Sequence, residues 1–215
     1  TTKGVAAITI AHAFENKLIE YERKVSEYWP EFGCNGKEDI TVGMLLSHQA
    51  GICGSKTDNV EDYYSQSVMA KELASMHPIW EPGTASGYHS MTYGWLVSEL
   101  IIRVTGKTLG NYFKENIGDP NQIDFHIGLP LAEEKRVAEM IPFPKESNQS
   151  STKPNDAQIA SGSGPNLLKH QNTTKWRSAE IPSANGQGCA SAIAKLYSLV
   201  VTDDHSLKII NDKTI

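Results

Sequence analysis

Three side chains in the first half of the chain, Tyr88, His89 and His48, are of types that could do acid–base chemistry. A tyrosine hydroxyl or a histidine ring can transfer a proton when it lies within hydrogen-bond distance of a reacting group. For an arbitrary tyrosine, half-buried packing with a wet hydroxyl is the commoner role. For His48, a hydrogen-bonded structural role is the commoner one, and the sequence leaves the direction of the His89 ring open.

Two other short motifs fail to support a different chemistry. Gly106-Lys107-Thr108 resembles the end of a phosphate-binding loop, but Ile101 stands where that loop needs a glycine. Ser161-Gly162-Ser163-Gly164 lacks the first glycine of G-x-S-x-G, and no predicted strand precedes it. The chain also lacks an H-E-x-x-H motif. These sequences therefore predict neither phosphate binding nor a nucleophile elbow.

Tyr88 lies between a predicted turn and a predicted helix. The Glu-Pro-Gly-Thr sequence before it predicts a turn, because proline fixes φ and glycine accepts a positive φ. Across residues 93–104 apolar side chains recur at intervals of three and four, which is one face of an amphipathic helix. Ser90 or Thr92 is predicted to cap its start, and Gly106 its end. Tyr88 is therefore expected at the mouth of a helix anchored in the core.

The chain begins with an Ala-rich apolar run. Thr2 to Phe14 predicts a helix, although no start signal is visible. We expect this helix to be the most buried one, because its sides are apolar almost all round. A natural domain rarely opens on such a helix, so we expect the chain to be a piece of a longer protein, cut on its N-terminal side.

The remaining sequence predicts short helices and a single strand. Thr41, Thr108 and either Asp58 or Asn59 are predicted N-caps. Ile123 to Ile127 alternates weakly and is the only convincing strand candidate. The predicted helices cover residues 42–47, 60–76, 109–117, 131–140 and 188–201.

Residues 142–182 differ in composition from the rest of the chain. They are rich in Pro, Ser, Asn and Gly and poor in apolar residues, so packing alone would not order them. We expect a long surface loop or flap that is exposed, lacks regular structure over most of its length and is cleaved first in limited proteolysis. Such loops often border a site, although simple disorder is an equally common explanation.

Composition narrows the classes of partner. The 215 residues can bury an ample core, and 20 basic against 25 acidic residues give a net charge of −5. This balance argues against nucleic acid or an anionic membrane as the main partner, and no apolar run approaches the ~20 residues of a membrane span. Compartment and oligomeric state stay open, and no pattern predicts a cofactor or metal site. The three cysteines, which indicate neither a disulfide framework nor a zinc site, are Cys34, Cys53 and Cys189.

Four collinear segments resemble the serine β-lactamase and penicillin-binding-protein family, in the branch of class C β-lactamases, D-aminopeptidases and lactamase-type esterases. The first is similar to the family's S-x-x-K helix and reads TTKGVAAI. The second is similar to LLTHTSGL and reads MLLSHQAGI, at residues 44–52. The third is similar to EPG…Y-x-N…YG…VTGKSL and reads EPGTASGYHSMTYGWLVSELIIRVTGKTLGNYF. The fourth is similar to NG-x-G-T-A-x-x-LA-x-LY and reads NGQGCASAIAKLY, at residues 185–197.

This resemblance implies an α+β fold of the β-lactamase/transpeptidase type. Residues 1–215 would then be a partial domain, truncated at both ends, with residues 142–182 as a loop within it. The chain itself would be mostly α, forming the helical lobe with little of the antiparallel sheet.

The resemblance also implies the site residues. A serine nucleophile needs a base, and a lysine three residues later on a helix lies on the same face. Lys3 and Tyr88 fall on the motif positions of the family's catalytic lysine and tyrosine, and the serine would stand immediately before Thr1. Ser90 replaces the Asn of Y-x-N, which favours an ester or small-peptide substrate. Ser90 and His89 are the candidate substrate contacts.

The implied function is a serine hydrolase that acts through an acyl-enzyme on a small-molecule ester, amide or peptide. The printed chain lacks the serine and the family's late K-T-G or H-x-G strand, so we expect it to be inactive and poorly stable by itself. Whether Lys3 or Tyr88 is the base stays open. The alternative is a non-catalytic scaffold or filament-forming relative of the same fold. A serine before Thr1 would favour the enzyme, and alanine or glycine the scaffold.

Overall fold

A computed structural model of the chain describes residues 1–141, 153–211 and 214. These residues form a mainly helical structure with one very small sheet, as the sequence predicted. Short non-α turns occur at Pro30–Phe32, Lys114–Gly118, Leu131–Arg136 and Leu167–Lys169. The α-helices of the described residues are α1 (Thr2–Glu15), α2 (Val25–Tyr28), α3 (Val42–Leu46), α4 (Val60–Tyr63), α5 (Gln66–Ser75), α6 (Thr92–Thr105), α7 (Leu109–Phe113), α8 (Asp156–Ser161), α9 (Thr174–Ser178) and α10 (Ala190–Val201).

Helix α6 is the centre of the core. It packs against α1, α2, α3, α5 and α7, and every residue from Thr92 to Ile101 is buried. Gly106 ends it in the left-handed conformation at φ 71°, as predicted. The expectation that α1 is the most buried helix is wrong, because Ala7 of α1 is exposed and α6 has more buried residues. Alanine favours a helix through its backbone propensity whether or not its side chain is covered.

The predicted N-caps are confirmed for three short helices but not for α6. The side-chain oxygens of Thr41, Asn59 and Thr108 accept hydrogen bonds from backbone N–H groups in the first turns of α3, α4 and α7. Neither Ser90 nor Thr92 caps α6. The Thr92 hydroxyl instead donates to the Ile52 carbonyl, at 2.6 Å. The Ser183 hydroxyl oxygen instead accepts a hydrogen bond from the Gly94 N–H in the first turn of α6.

The sheet joins two distant parts of the chain. Strand β1 (Phe125–His126) pairs antiparallel with β2 (Gln187–Gly188), with Phe125 opposite Gly188. The strand predicted over residues 123–127 is therefore confirmed in a shorter form. The helix predicted over 131–140 is wrong, because the chain makes only a 3-10 turn that places Arg136 beside Asp124 and then becomes extended at Val137.

The segment 153–182 is more ordered than its composition suggested. It contains α8 and α9, and the side chains of Trp176 and Ile181 are buried. The Asn185 side chain holds its end, donating to the carbonyls of Trp176 and Ala179 and accepting from the Ile181 N–H. The last part of the predicted exposed loop is therefore covered. Residues 142–152, the other part of that expectation, lie outside the described residues.

Gly94 allows the chain near Ser183 to lie directly on α6. A Cβ atom at Gly94 would be 2.5 Å from the Ser183 backbone nitrogen and 3.0 Å from the Pro182 carbonyl carbon. Glycine inside a helix usually costs about 1 kcal/mol relative to alanine, so Gly→Ala would ordinarily stabilise a helix. For Gly94→Ala we expect the opposite, a loss of about 1–3 kcal/mol in the free energy of unfolding, because backbone atoms must move.

Denaturant unfolding of Gly94→Ala beside Gly118→Ala tests this expectation. At Gly118 the nearest heavy atom to a new Cβ would be 3.5 Å away, an ordinary contact, so this control should change stability little. Equal or greater stability of Gly94→Ala relative to the parent would show that the contact with Ser183 is not tight.

Candidate active site

Lys3 lies in the first turn of α1 and is held by two backbone carbonyls from distant segments. Its Nζ atom donates to the Ser90 carbonyl at 2.5 Å and to the Ser183 carbonyl at 3.1 Å. The side chain is half-buried. An ammonium has three N–H donors, and these two bonds fix its position while leaving one donor for another group.

Tyr88 lies beside this ammonium group. The Lys3 Nζ atom is 5.0 Å from the centroid of the Tyr88 ring, within the range of a cation–π interaction. The Tyr88 side chain is 59% exposed, so its ring faces open space that a small molecule can enter. The Tyr88 carbonyl accepts a hydrogen bond from the Ser161 hydroxyl of α8. The structure therefore brings Lys3 and Tyr88 together, as the family resemblance implied.

Ser183 joins Lys3 to the start of α6. Its carbonyl accepts from Lys3, while its hydroxyl donates to the Met91 carbonyl at 2.8 Å and accepts from the Gly94 N–H at 2.6 Å. Sequence reasoning missed this residue, because a hydrogen bond that spans so much of the chain leaves no local pattern. The one available signal was its position just ahead of the NGQG motif.

Residues 79–92 run along residues 47–52 and are joined to them by repeated hydrogen bonds. The backbone N–H groups of Gly83 and Gly87 donate to the Gln49 and His48 carbonyls, at 3.2 and 3.1 Å. The His89 N–H donates to His48 Nδ1, at 3.2 Å. Tyr88 is thus mounted on a second segment of chain as well as on the approach to α6.

His89, a predicted substrate contact, lies in the protein interior. Its side chain is 0% exposed, its Nε2 accepts from the Ile52 N–H at 3.1 Å, and its Nδ1 is 2.7 Å from the Gly87 carbonyl. An N–H donor on one side and a carbonyl on the other fix the tautomer with the proton on Nδ1. Both ring nitrogens are therefore occupied, which leaves His89 a structural role.

Ser90, the other predicted substrate contact, is half-buried beside Lys3. Its backbone carbonyl, rather than its side chain, makes the contact with the ammonium group. Lys3, Tyr88 and Ser90 thus lie together, and the buried His89 ring anchors the chain between Tyr88 and Ser90 through its hydrogen bonds to Ile52 and Gly87.

Comparison with known proteins agrees with the resemblance drawn from the motifs. The sequence model of the Beta-lactamase family matches residues 1–212. The chain belongs to the beta-lactamase family. This family member is 37% identical over 219 residues to the esterase/beta-lactamase LipL of Mycobacterium tuberculosis (strain ATCC 25618 / H37Rv), an alignment that covers 93% of the chain and 49% of LipL.

Solved structures place this beta-lactamase family chain among esterases and penicillin-binding-protein homologues. A family VIII carboxylesterase superposes with a TM-score of 0.88 at 39% identity, covering 99% of this chain and 57% of that one. A penicillin-binding-protein homologue from Caulobacter crescentus gives a TM-score of 0.84 at 34% identity, with 99% and 57% coverage. The fold is therefore that of the β-lactamase/transpeptidase class, and the chain spans about half the length of LipL.

A cavity of about 750 Å³ opens next to the Lys3–Tyr88 pair. Neither Lys3 nor Tyr88 lines it, but Met91 and Ser161, which adjoin Tyr88 in sequence or by hydrogen bond, do. Its walls include apolar side chains from the described part of the 153–182 segment and from the β1–β2 region, among them Leu129, Leu167 and Trp176. These walls can accommodate an apolar group.

In the described residues, no group of three or more His, Cys, Asp or Glu side chains could hold a metal ion. The helices of those residues are also too short or too polar to span a membrane.

The buried His89 ring should make stability depend on pH. Burial lowers its pKa from the ordinary 6.5 to about 4, so the unfolded state binds a proton more readily in this interval. The contribution of neutral His89 to the free energy of unfolding is therefore complete above about pH 6.5 and decreases as the pH falls towards 4. We expect the free energy of unfolding to be about 2 kcal/mol lower at pH 5 than at pH 7 on account of His89.

His89→Gln is the matched variant for this effect. A glutamine oxygen can accept the Ile52 N–H in place of Nε2, and glutamine does not titrate. Urea unfolding at pH 5 and pH 7 should therefore show a smaller pH effect in His89→Gln than in the parent. The same pH effect in both proteins would assign the titration to another group.

Proposed function

We propose that the complete protein is a serine esterase in which Lys3 and Tyr88 activate a serine immediately ahead of Thr1. The observation that carries this proposal is the position of the Lys3 ammonium group, which two carbonyls hold 5.0 Å from the exposed Tyr88 ring. With α1 continued past Thr1 in the complete protein, a side chain three residues before Lys3 would lie on the same helix face as Lys3. The three groups would then share one small volume.

The reaction proceeds through an acyl-enzyme. The serine proton passes to Lys3 or Tyr88, and the serine oxygen bonds to the carbonyl carbon of the ester. The bond from that carbon to the alcohol oxygen breaks, and the proton is delivered to the leaving alcohol. Water then attacks the acyl carbon and gives up a proton to the same groups. The bond from that carbon to the serine oxygen breaks, the proton passes to the serine oxygen, and the carboxylic acid leaves.

An ester is the substrate class that we propose over a β-lactam. Ser90 stands where the related motif has an asparagine, so an amide side chain that could contact a β-lactam or peptide is missing. The cavity lined by Met91 and Ser161 has apolar walls at Leu129, Leu167 and Trp176, which suit the hydrocarbon part of an ester. The similarity to a family VIII carboxylesterase supports the same choice. The name of LipL, an esterase/beta-lactamase, covers both substrate classes.

Turnover by the complete protein tests this function. We expect hydrolysis of p-nitrophenyl butyrate with a kcat/KM at least roughly 10²-fold above that for a chromogenic cephalosporin, since the amide of the cephalosporin would lose a hydrogen bond that the butyrate ester does not need. We also propose that the 215-residue chain alone is inactive. A correctly folded complete protein that hydrolyses neither substrate would contradict the proposal and favour the non-catalytic scaffold.

A further inference from the structure

His48 occupies a backbone position that ordinarily belongs to glycine. Helix α3 ends in a pair of hydrogen bonds, from the His48 N–H to the Leu45 carbonyl and from the Gln49 N–H to the Met44 carbonyl. This pattern is the Schellman motif, whose second-last residue takes a left-handed conformation. His48 has φ 63°, a value that a non-glycine residue adopts at a cost of about 1–2 kcal/mol.

The strained position gives His48 two hydrogen bonds to the chain on either side of Tyr88. Its carbonyl accepts from the Gly87 N–H at 3.1 Å, and its ring Nδ1 accepts from the His89 N–H at 3.2 Å. A backbone N–H can only donate, so Nδ1 must be unprotonated. A glycine at this position would relieve the strain and keep the first bond, but it would lose the second.

The His48 ring is also packed against Tyr88 and against two buried rings. Its centroid lies 5.2 Å from that of Tyr88, 5.3 Å from that of His89 and 5.1 Å from that of Tyr93. Burial and then the charge of Lys3 lower the pKa of His48 below its ordinary value, which keeps the ring neutral and Nδ1 free to accept. Burial raises the pKa of Tyr93 to about 12, so the Tyr93 ring that packs against His48 also stays uncharged.

We infer that His48 is a positioning residue that fixes the Tyr88 hydroxyl for proton transfer, by holding the backbone on both sides of Tyr88 from a left-handed helix end. This inference rests on the proposed esterase function. His48 touches neither the substrate nor the reacting atoms, and it acts only through Tyr88. Its effect belongs to the rate of the chemical step, since a displacement of about 1 Å in a catalytic group can cost 10²-fold.

The test compares His48→Gly with His48→Asn in the complete protein. The asparagine Oδ1 occupies nearly the position of Nδ1 and can accept from the His89 N–H, and asparagine tolerates a positive φ. Glycine keeps the backbone bond but lacks the acceptor. We expect His48→Gly to lower kcat by roughly 10–100-fold with little change in KM, and His48→Asn to stay within roughly threefold of the parent. His77→Gly, at an exposed histidine, is the control.

A double-mutant cycle with Tyr88→Phe separates a positioning role from a purely structural one. If His48 acts through the Tyr88 hydroxyl, His48→Gly should cost no further activity once that hydroxyl is gone. A His48→Gly variant with unchanged kcat, or with the same loss in the Tyr88→Phe background, overturns the inference. If the glycine variant does not fold, loss of kcat in a folded His48→Asn variant overturns it. Unchanged kcat in Tyr88→Phe itself would instead overturn the proposed role of Tyr88.

Discussion

Lys3→Ala in the complete protein is expected to abolish ester hydrolysis, with a fall in kcat on the order of 10⁴-fold or more, as removal of one member of a cooperating catalytic set does. The substitution deletes the ammonium group that lies 5.0 Å from the Tyr88 ring and its hydrogen bonds to the Ser90 and Ser183 carbonyls. Acylation of the serine should fail, because the serine and Tyr88 hydroxyls would both lose the Lys3 amine that the proposed mechanism places beside them. Single-turnover kinetics with a p-nitrophenyl ester measure this step directly.

Two further lysine variants identify the cause of the loss. Lys3→Arg keeps the positive charge but cannot lose a proton near neutral pH. Activity retained in Lys3→Arg would assign the base to Tyr88, and activity lost would favour the lysine amine. Lys107, which pairs with Glu115 on the surface, supplies the control, and Lys107→Ala should not change kcat. Full activity in a folded Lys3→Ala protein would remove Lys3 from the mechanism.

Tyr88→Phe is expected to lower kcat by about 10²–10⁴-fold while leaving the melting temperature nearly unchanged. The ring stays in place for its contacts with Lys3 and His48, and only the hydroxyl is lost. Because the Tyr88 side chain is 59% exposed, removal of its hydroxyl leaves no buried group without a partner. Steady-state kinetics and thermal unfolding on the same preparation give both quantities.

Tyr28→Phe is the matched control for Tyr88→Phe. The Tyr28 hydroxyl accepts from the Glu20 N–H at 3.0 Å, and it lies outside the described site. Its removal should affect stability, typically by about 1 kcal/mol for a lost hydrogen bond, and leave kcat unchanged. Unchanged turnover in Tyr88→Phe, together with a shift in its melting temperature, would mean that Tyr88 is only a packing residue.

The features that the sequence predicted well are local ones. The apolar period of α6, its Gly106 terminus and the caps Thr41 and Thr108 each depend on a few neighbouring residues. The pairing of Lys3 with Tyr88 was not local. It was predicted only because two motifs far apart in the sequence resembled one family, since no propensity or period relates residues so far apart.

The features that the sequence did not predict depend on long-range packing. A left-handed His48 is not readable, because only glycine and asparagine signal that conformation by type. The order of residues 176–182 depends on the burial of Trp176 and Ile181 in the core and on hydrogen bonds from Asn185, which lies beyond the segment. The inward direction of the His89 side chain depends on a hydrogen bond from Ile52, a residue distant in sequence, so no local pattern predicts it.

The most direct test of the account is to trap the acyl-enzyme in the complete protein. The protein would be mixed with p-nitrophenyl acetate, quenched in acid during the first turnover and digested, and the acetylated peptide would be located by mass spectrometry. We predict one acetyl group on a serine immediately before Thr1, in the peptide that carries Lys3, and no such adduct in the Lys3→Ala protein. Rapid ester turnover with no adduct there, or with the acetyl group on Ser90, Ser161 or Cys189, would contradict the account.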